Sequence, residues 1–156
     1  MARRIEIALK DGLSDPRGER IKREIKQFLQ IGIQHVRTLD IYTVDADLTN
    51  AELETAAYGP FYDPVIQKSS VDLPLAVLPA TAASTSECQD GKGECSKGVM
   101  FDWAVEIGLR PGVTDIAGRT AREAIESLTG RPFADGEGVY SGVQYLLTGQ
   151  LTGEQV

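Results

Sequence analysis

The sequence predicts an α+β fold built from two related units, and three observations lead to this prediction. The 156-residue chain is 42% hydrophobic and 25% charged, which is typical of a globular domain. Residues 5–29 and 105–129 share seven identities over 25 aligned positions, where ordinary composition gives about one or two. Strand-like and helix-like segments alternate within each copy, which favours antiparallel or mixed sheets with helices on one face.

The first unit opens with a predicted strand at residues 4–10. Asp15 is a predicted N-cap, and Pro16 suits the first helical position because its missing N–H costs nothing there. Gly32 is expected to end this helix. The apolar residues at helical spacing predict its buried face, and they are Ile21, Ile25, Phe28 and Leu29.

The rest of the first unit is predicted as strand, helix and strand. Residues 34–46 carry imperfect alternation, so one strand with a bulge and two separate strands both fit. A capping-box pattern at residues 49–52 opens a short helix that reaches about Tyr58. The segment 63–67 is the predicted closing strand.

The second unit repeats this order. We predict a strand at residues 103–110, a helix from the N-cap Asp115 to Gly130, and a strand at 139–147. The helix carries its apolar face on Ala121, Ile125 and Leu128. A second capping box occurs at residues 152–155, but nothing after it matches residues 50–68. The second unit is therefore predicted to be incomplete, either because the sequence is a fragment of a longer polypeptide or because a partner chain supplies the closing strand.

The domain organisation predicted from these patterns is unit one at residues 1–68, a linker at 69–100 and unit two at 101–156. The linker is rich in Pro, Gly, Ser and Thr, and we expect it to lie at the surface. It contains Cys88 and Cys95. Their spacing is compatible with a small disulfide loop or half of a metal site, but free thiols are favoured because no histidine lies nearby to complete four ligands.

A glycine and aspartate pattern follows the first strand of each unit: Gly12, Asp15 and Gly18 in unit one, and Gly112, Asp115 and Gly118 in unit two. A glycine-containing turn before a helix can bind phosphate. However, the pattern is neither a dinucleotide fingerprint nor a P-loop, and an aspartate at the helix start repels anions. We therefore predict a turn and a helix cap, and we call these two sets of residues the signature turns.

Other residues with chemical potential are isolated in the sequence. His35 is the only histidine and has no nucleophile pattern to serve, and Asp45 with Asp47 more often ends a strand than binds a cation. We predict no catalytic, cofactor-binding or metal residue. The net charge of −7 argues against nucleic-acid partners, and no apolar run reaches the roughly 20 residues needed to span a membrane. A cytoplasmic location is expected.

Residues 9–18 and 63–67 resemble the PurS family, the small subunit of phosphoribosylformylglycinamidine synthase. Residues 110–120 and 139–145 are similar to the tandem PurS-like region that opens a long form of the synthetase subunit. The resemblance implies two PurS-like βαβ(β)αβ units that form an internal pseudo-dimer. The linker is longer than such a tandem needs, and the incomplete second unit departs from the pattern.

The resemblance also implies a function in de novo purine biosynthesis. The complete enzyme is an ATP-dependent C–N ligase that amidates formylglycinamide ribonucleotide with ammonia from glutamine. The PurS part is not catalytic and bridges the synthetase and the glutaminase, which are the implied partners. ATP and Mg²⁺ would belong to the complete enzyme, with no cofactor in this chain, and a homo-oligomer is compatible with the pattern.

Two alternatives come from other functional classes. The first is a regulatory tandem that binds a small molecule on a ferredoxin-like scaffold, because a fold alone does not fix function. The second is a thiol or metal module built on Cys88 and Cys95, which predicts that replacing both cysteines with serine abolishes activity.

Overall fold

The computed structural model describes residues 2–77, 99–110 and 112–156, so Cys88 and Cys95 lie outside the described residues. Its strands are β1 (Arg3–Leu9), β2 (His35–Asp45), β3 (Gln67–Val71), β4 (Ala76–Val77), β5 (Val99–Met100), β6 (Trp103–Gly108) and β7 (Gly138–Thr148). Its helices are α1 (Pro16–Glu24), which continues into a π-helical turn (Ile25–Leu29), α2 (Asn50–Ala57) and α3 (Ile116–Thr129).

Five strands form one antiparallel sheet in the order β3-β1-β2-β7-β6. The two long strands, β2 and β7, lie at its centre and pair over eleven residues, from His35 opposite Thr148 to Asp45 opposite Gly138. The predicted α+β class is confirmed, and the sheet is antiparallel rather than mixed.

The helices pack on one face of this sheet. Ile5 and Val44 from the strands, Leu53 from α2 and Ile125 from α3 are fully buried there in one apolar cluster. Burying a side chain of this size contributes roughly 1.5–3 kcal/mol. This cluster is the main core, and α2 lies beside α3 within it.

The opposite face of the sheet carries a smaller apolar cluster. Leu39, Ile41 and Leu146 from the central strands pack against Phe101, and Leu75 and Ala76 lie against them. The short strands β4 and β5 pair in parallel beside this face. Part of the predicted linker therefore contributes to the packing of the sheet.

Several local predictions are confirmed. Asp15 and Asp115 are N-caps, Pro16 is the first residue of α1, and a complete capping box opens α2 at Thr49 and Glu52. Gly130 ends α3 in the left-handed region with φ +64°. None of the helices in the described part of the chain is long and apolar enough to cross a membrane.

Two predictions need correction. Residues 63–67 form a turn, because Asp63 accepts hydrogen bonds from the amides of Val65 and Gln67, both at 2.8 Å. The closing strand β3 therefore begins at Gln67 and runs to Val71. Gly32 does not end the first helix, because the chain leaves it at Gln30 with φ +57°. The strand predicted at residues 34–46 is confirmed as β2, which is one uninterrupted strand, so the two-strand alternative is wrong.

Candidate functional site

The first signature turn connects β1 to α1. Gly12 has φ +85°, a conformation that glycine adopts far more easily than other residues. The turn is closed by a hydrogen bond from the Leu13 amide to the Lys10 carbonyl oxygen at 3.3 Å. Two residues later, Asp15 starts α1 as its N-cap.

The Asp15 carboxylate joins this helix to the central strand. One oxygen accepts from the Gly18 amide at 3.0 Å, and the other accepts from the amide of Thr38 at 2.6 Å and its hydroxyl at 2.9 Å. Asp15 is buried, and three donors compensate for its loss of water. The residue therefore caps α1 and also connects this helix to β2.

The second signature turn repeats the same arrangement between β6 and α3. The Asp115 carboxylate accepts from the amides of Gly118 at 2.7 Å and Ser141 at 2.6 Å, and from the Ser141 hydroxyl at 2.7 Å. Burial opposes ionisation of Asp115, but the hydrogen bonds from Ser141 and Gly118 outweigh it and hold the pKa of this carboxyl below its ordinary value. Gly112 has φ +88°, close to that of Gly12.

The third residue of each signature turn allows a close approach between helix and strand. A Cβ atom on Gly18 would overlap the carbonyl oxygen of Val36 in β2. A Cβ atom on Gly118 would lie 2.5 Å from the carbonyl oxygen of Val139 in β7. At Gly18 the obstacle is a strand carbonyl group, and at Gly118 the Asp115 carboxylate lies as close as the strand carbonyl oxygen. A larger residue at either position therefore requires a shift of the helix, the strand or, at Gly118, the capping side chain.

The family comparison bears on this first half of the molecule. Residues 2–74 match the family model described as PurS, phosphoribosylformylglycinamidine (FGAM) synthase. This segment belongs to the PurS family. No curated protein and no solved structure matches the chain.

The PurS match covers β1 to β3 and includes Gly12, Asp15 and Gly18. It ends at residue 74, before β6, α3 and β7. The geometry of the second signature turn is therefore an independent observation about the remainder of the chain.

The pockets beside the signature turns are open and lined by charges of both signs. The cavity at the first turn is about 350 Å³ and includes Glu19, His35 and Arg37. The one at the second turn is about 580 Å³ and includes Arg119 and Arg122. In both turns, the carboxylate of the capping aspartate already accepts the hydrogen bond from the helix amide that would otherwise bind an anion.

The isolated candidates stay apart in the structure. His35 is exposed at the start of β2, and Asp45 is exposed at its end. The Asp47 amide donates to Glu137 at 2.6 Å, which ties the approach to α2 to the loop before β7. No group of three or more potential metal ligands occurs among residues 2–77, 99–110 and 112–156.

Sequence reasoning missed the ion pairs made by Arg17 and Arg4. Arg17 in α1 binds Asp40 at the centre of β2 with two hydrogen bonds of 2.7 and 3.0 Å. Arg4 in β1 binds Glu6 at 2.7 Å and reaches Glu106 in β6 at 2.7 Å. The Arg17–Asp40 and Arg4–Glu106 pairs join different elements of the chain, so only the packing and the strand order could have revealed them.

Proposed function

We propose that this chain is a non-catalytic structural and assembly region of phosphoribosylformylglycinamidine synthase, in which two PurS-like units form an internal pseudo-dimer. The proposal extends the PurS assignment of residues 2–74 to residues 101–156. In it, the region bridges the synthetase and the glutaminase of an enzyme that amidates formylglycinamide ribonucleotide in purine biosynthesis.

The pairing of β2 with β7 carries the proposal. In the long strands the two halves correspond at an offset of 103 residues, because the loop at residues 133–136 absorbs a shift of three, so position 36 corresponds to 139 and position 44 to 147. Val36 pairs with Leu147, and Val44 pairs with Val139, so one contact is made twice. Any antiparallel pair has this reciprocity, but here the two strands that pair are counterparts of each other and are centred on corresponding residues, as in two copies related by a two-fold axis. Asp40 lies opposite Val143, its own counterpart, at the centre of the pairing.

The signature turns support the same equivalence. Ser141 corresponds to Thr38, and each donates an amide and a hydroxyl hydrogen bond to the capping aspartate of its own half. The backbone positions facing Gly18 and Gly118 also correspond. A chance resemblance between two strand–turn–helix segments would not reproduce both features.

We assign a non-catalytic role because the charged side chains at the signature turns are bound to other groups of the protein. Asp15 and Asp115 fix helices to strands, and Arg17 is paired with Asp40. Catalysis requires groups free to contact a substrate in a defined arrangement. We therefore assign ATP and Mg²⁺ to the synthetase body of the complete enzyme.

Reconstitution tests the proposal. A synthetase and a glutaminase of a phosphoribosylformylglycinamidine synthase that lack their own PurS part are mixed with this chain, and glutamine-dependent product formation is measured. We expect the chain to raise the rate at least about tenfold, to co-sediment with both proteins and to show no turnover alone.

A chain that associates with neither protein and leaves the rate unchanged would contradict this function. An acidic protein of similar size serves as the control for non-specific effects. Thermal stabilisation by an amino acid, without association, would instead support the regulatory tandem.

A further inference from the structure

An apolar groove lies between α1 and the strands β6 and β7. Its volume is about 250 Å³. Apolar side chains from all three elements line it, and they include Ile21, Ile25, Leu29, Val105, Ile107 and Leu147. Phe28 and Leu29, which the sequence predicted on the buried face of the helix, are 74% and 61% exposed at this end of α1. The groove is therefore an uncovered part of the helix-bearing face of the sheet.

The corresponding place in the first half of the chain is filled. Ile7 in β1 is 2% exposed, whereas Ile107 at the corresponding position in β6 is 57% exposed. The difference is made by α2, whose Leu53, Ala56 and Ala57 are fully buried on the first surface. Two corresponding surfaces therefore differ: α2 covers the one in the first half, and the groove leaves the one in the second half uncovered.

The sheet edge next to the groove shows the same difference. The outer side of β1 pairs with β3, from Ile5 opposite Val71 to Leu9 opposite Gln67. In the second half, β6 is the last strand of the sheet formed by the described residues. An edge strand beside an apolar groove offers backbone hydrogen-bonding groups together with a hydrophobic surface.

We propose that the groove and the outer edge of β6 are a docking site for a helix–strand element with the chemistry of residues 49–71. Its helix presents a leucine and two alanines to the groove, and its strand pairs with β6. The inference rests on the equivalence of the two halves in the function proposed above.

Charge is compatible with this occupant. Lys22 in α1 and Lys26 in the π-helical turn directly follow Ile21 and Ile25, which line the groove, and α2 carries Glu52 and Glu54. A helix with the same acidic residues would meet opposite charge there, which favours association and orientation.

Leu151, Gln155 and Val156 lie at one end of the groove. The Thr152 amide donates to the Gln155 side chain at 3.0 Å, and Val156 lines the groove at the position that corresponds to Leu53. The ring of Trp103 lies beside Gly153, where an added Cβ would be 3.7 Å away. A docked element therefore displaces this turn and changes the surroundings of Trp103.

The sole tryptophan of the chain provides the measurement. A synthetic peptide of residues 49–71 contains no tryptophan, so the fluorescence of Trp103 can be followed while this peptide is added to the chain. We expect a saturable change in emission. The same peptide with Leu53→Asp should bind at least about tenfold more weakly, because a charge cannot enter the groove without a partner.

Two variants of the chain test the location of binding. Ile107→Asp and Leu29→Asp change exposed residues of the groove, so both should fold, and each should weaken binding at least about tenfold. Ile116→Asp is the matched control, because Ile116 is exposed on α3 away from the groove, and it should bind as the unaltered chain does.

Three results would overturn the proposal: no saturable change up to the solubility limit of the peptide, equal binding by the groove variants and the control, or a dimer in sedimentation that Ile107→Asp dissociates. The last result would identify a second copy as the occupant. Failure of peptide binding would leave the reconstitution result intact, so the two proposals fail separately.

Discussion

The two halves of the molecule present the same strand, turn and helix but close their hydrophobic surfaces differently. In the first half, α2 and β3 cover the helix-bearing face and the outer edge of β1. In the second half, the corresponding surface on β6 is a groove. The comparison shows two separate contributions to one fold. The signature turn connects each edge-side strand to its helix, whereas the segment that follows β2 in the first half covers the core.

The strand, turn and helix that both halves share are held by contacts to backbone atoms, which leave little room for substitutions. In each half, an aspartate caps the helix and binds the central strand, and a glycine lets the helix approach that strand. The part that differs is held mainly by apolar side chains, whose stabilisation depends on what covers them. Substitutions should therefore have similar effects at the turns and unequal effects at the two apolar surfaces.

The largest expected difference is between Ile125→Ala and Ile25→Ala, which remove the same atoms at corresponding positions. Ile125 is fully buried, so its replacement should lower the free energy of unfolding by about 2–5 kcal/mol. Ile25 is half-buried at the groove, and its replacement should cost no more than about 1 kcal/mol. Urea denaturation of both variants measures the difference. Equal losses would contradict an open groove.

Much of the local structure could be predicted because short-range chemistry determines it. Asp15 and Asp115 were predicted as caps from a single residue type at a strand–helix junction, and the capping box at Thr49 was evident from four residues. The repeat predicted that both turns would be alike. The aspartates' second role, as acceptors from Thr38 and Ser141, depends on the packing of helix against strand and was not predicted.

Long-range features could not be read from the sequence for a physical reason. The pairing of Arg4 with Glu106 requires β1 and β6 to lie in one sheet, which depends on the register of every strand between them. Residues 63–67 have an apolar centre that is compatible with a strand, but hydrogen bonds to Asp63 form a turn there instead. A strand and a turn closed by local hydrogen bonds compete at such positions, and the sequence does not show which one prevails.

A second prediction tests whether the two signature turns are alike in energy as well as in geometry. Gly18→Ala and Gly118→Ala should each lower the free energy of unfolding by about 1–3 kcal/mol, because the added methyl group overlaps a strand carbonyl oxygen. Gly32→Ala is the matched control: nothing lies within 4 Å of the added atom, and the change should stay within about 0.5 kcal/mol. Chemical denaturation measures all three. If Gly118→Ala leaves the free energy of unfolding unchanged, the helix and strand are packed less tightly at the second turn than at the first.

The smallest expected effect concerns the pH dependence of stability at the second turn. The pKa of Asp115 is lowered in the folded chain, since the hydrogen bonds from Ser141 and Gly118 outweigh the effect of burial. A group with a lowered folded-state pKa contributes stability above its unfolded-state pKa of about 3.9, and this contribution is lost as the pH falls through the folded-state value. Asp115→Asn should therefore lower stability near neutral pH and flatten its decline on acidification, whereas Asp135→Asn, at an exposed turn, should behave as the unaltered chain does. Urea denaturation between about pH 3 and pH 7 measures both slopes. If Asp115→Asn declines on acidification as steeply as the unaltered chain, the carboxylate of the second turn does not contribute its charge to the link between α3 and β7.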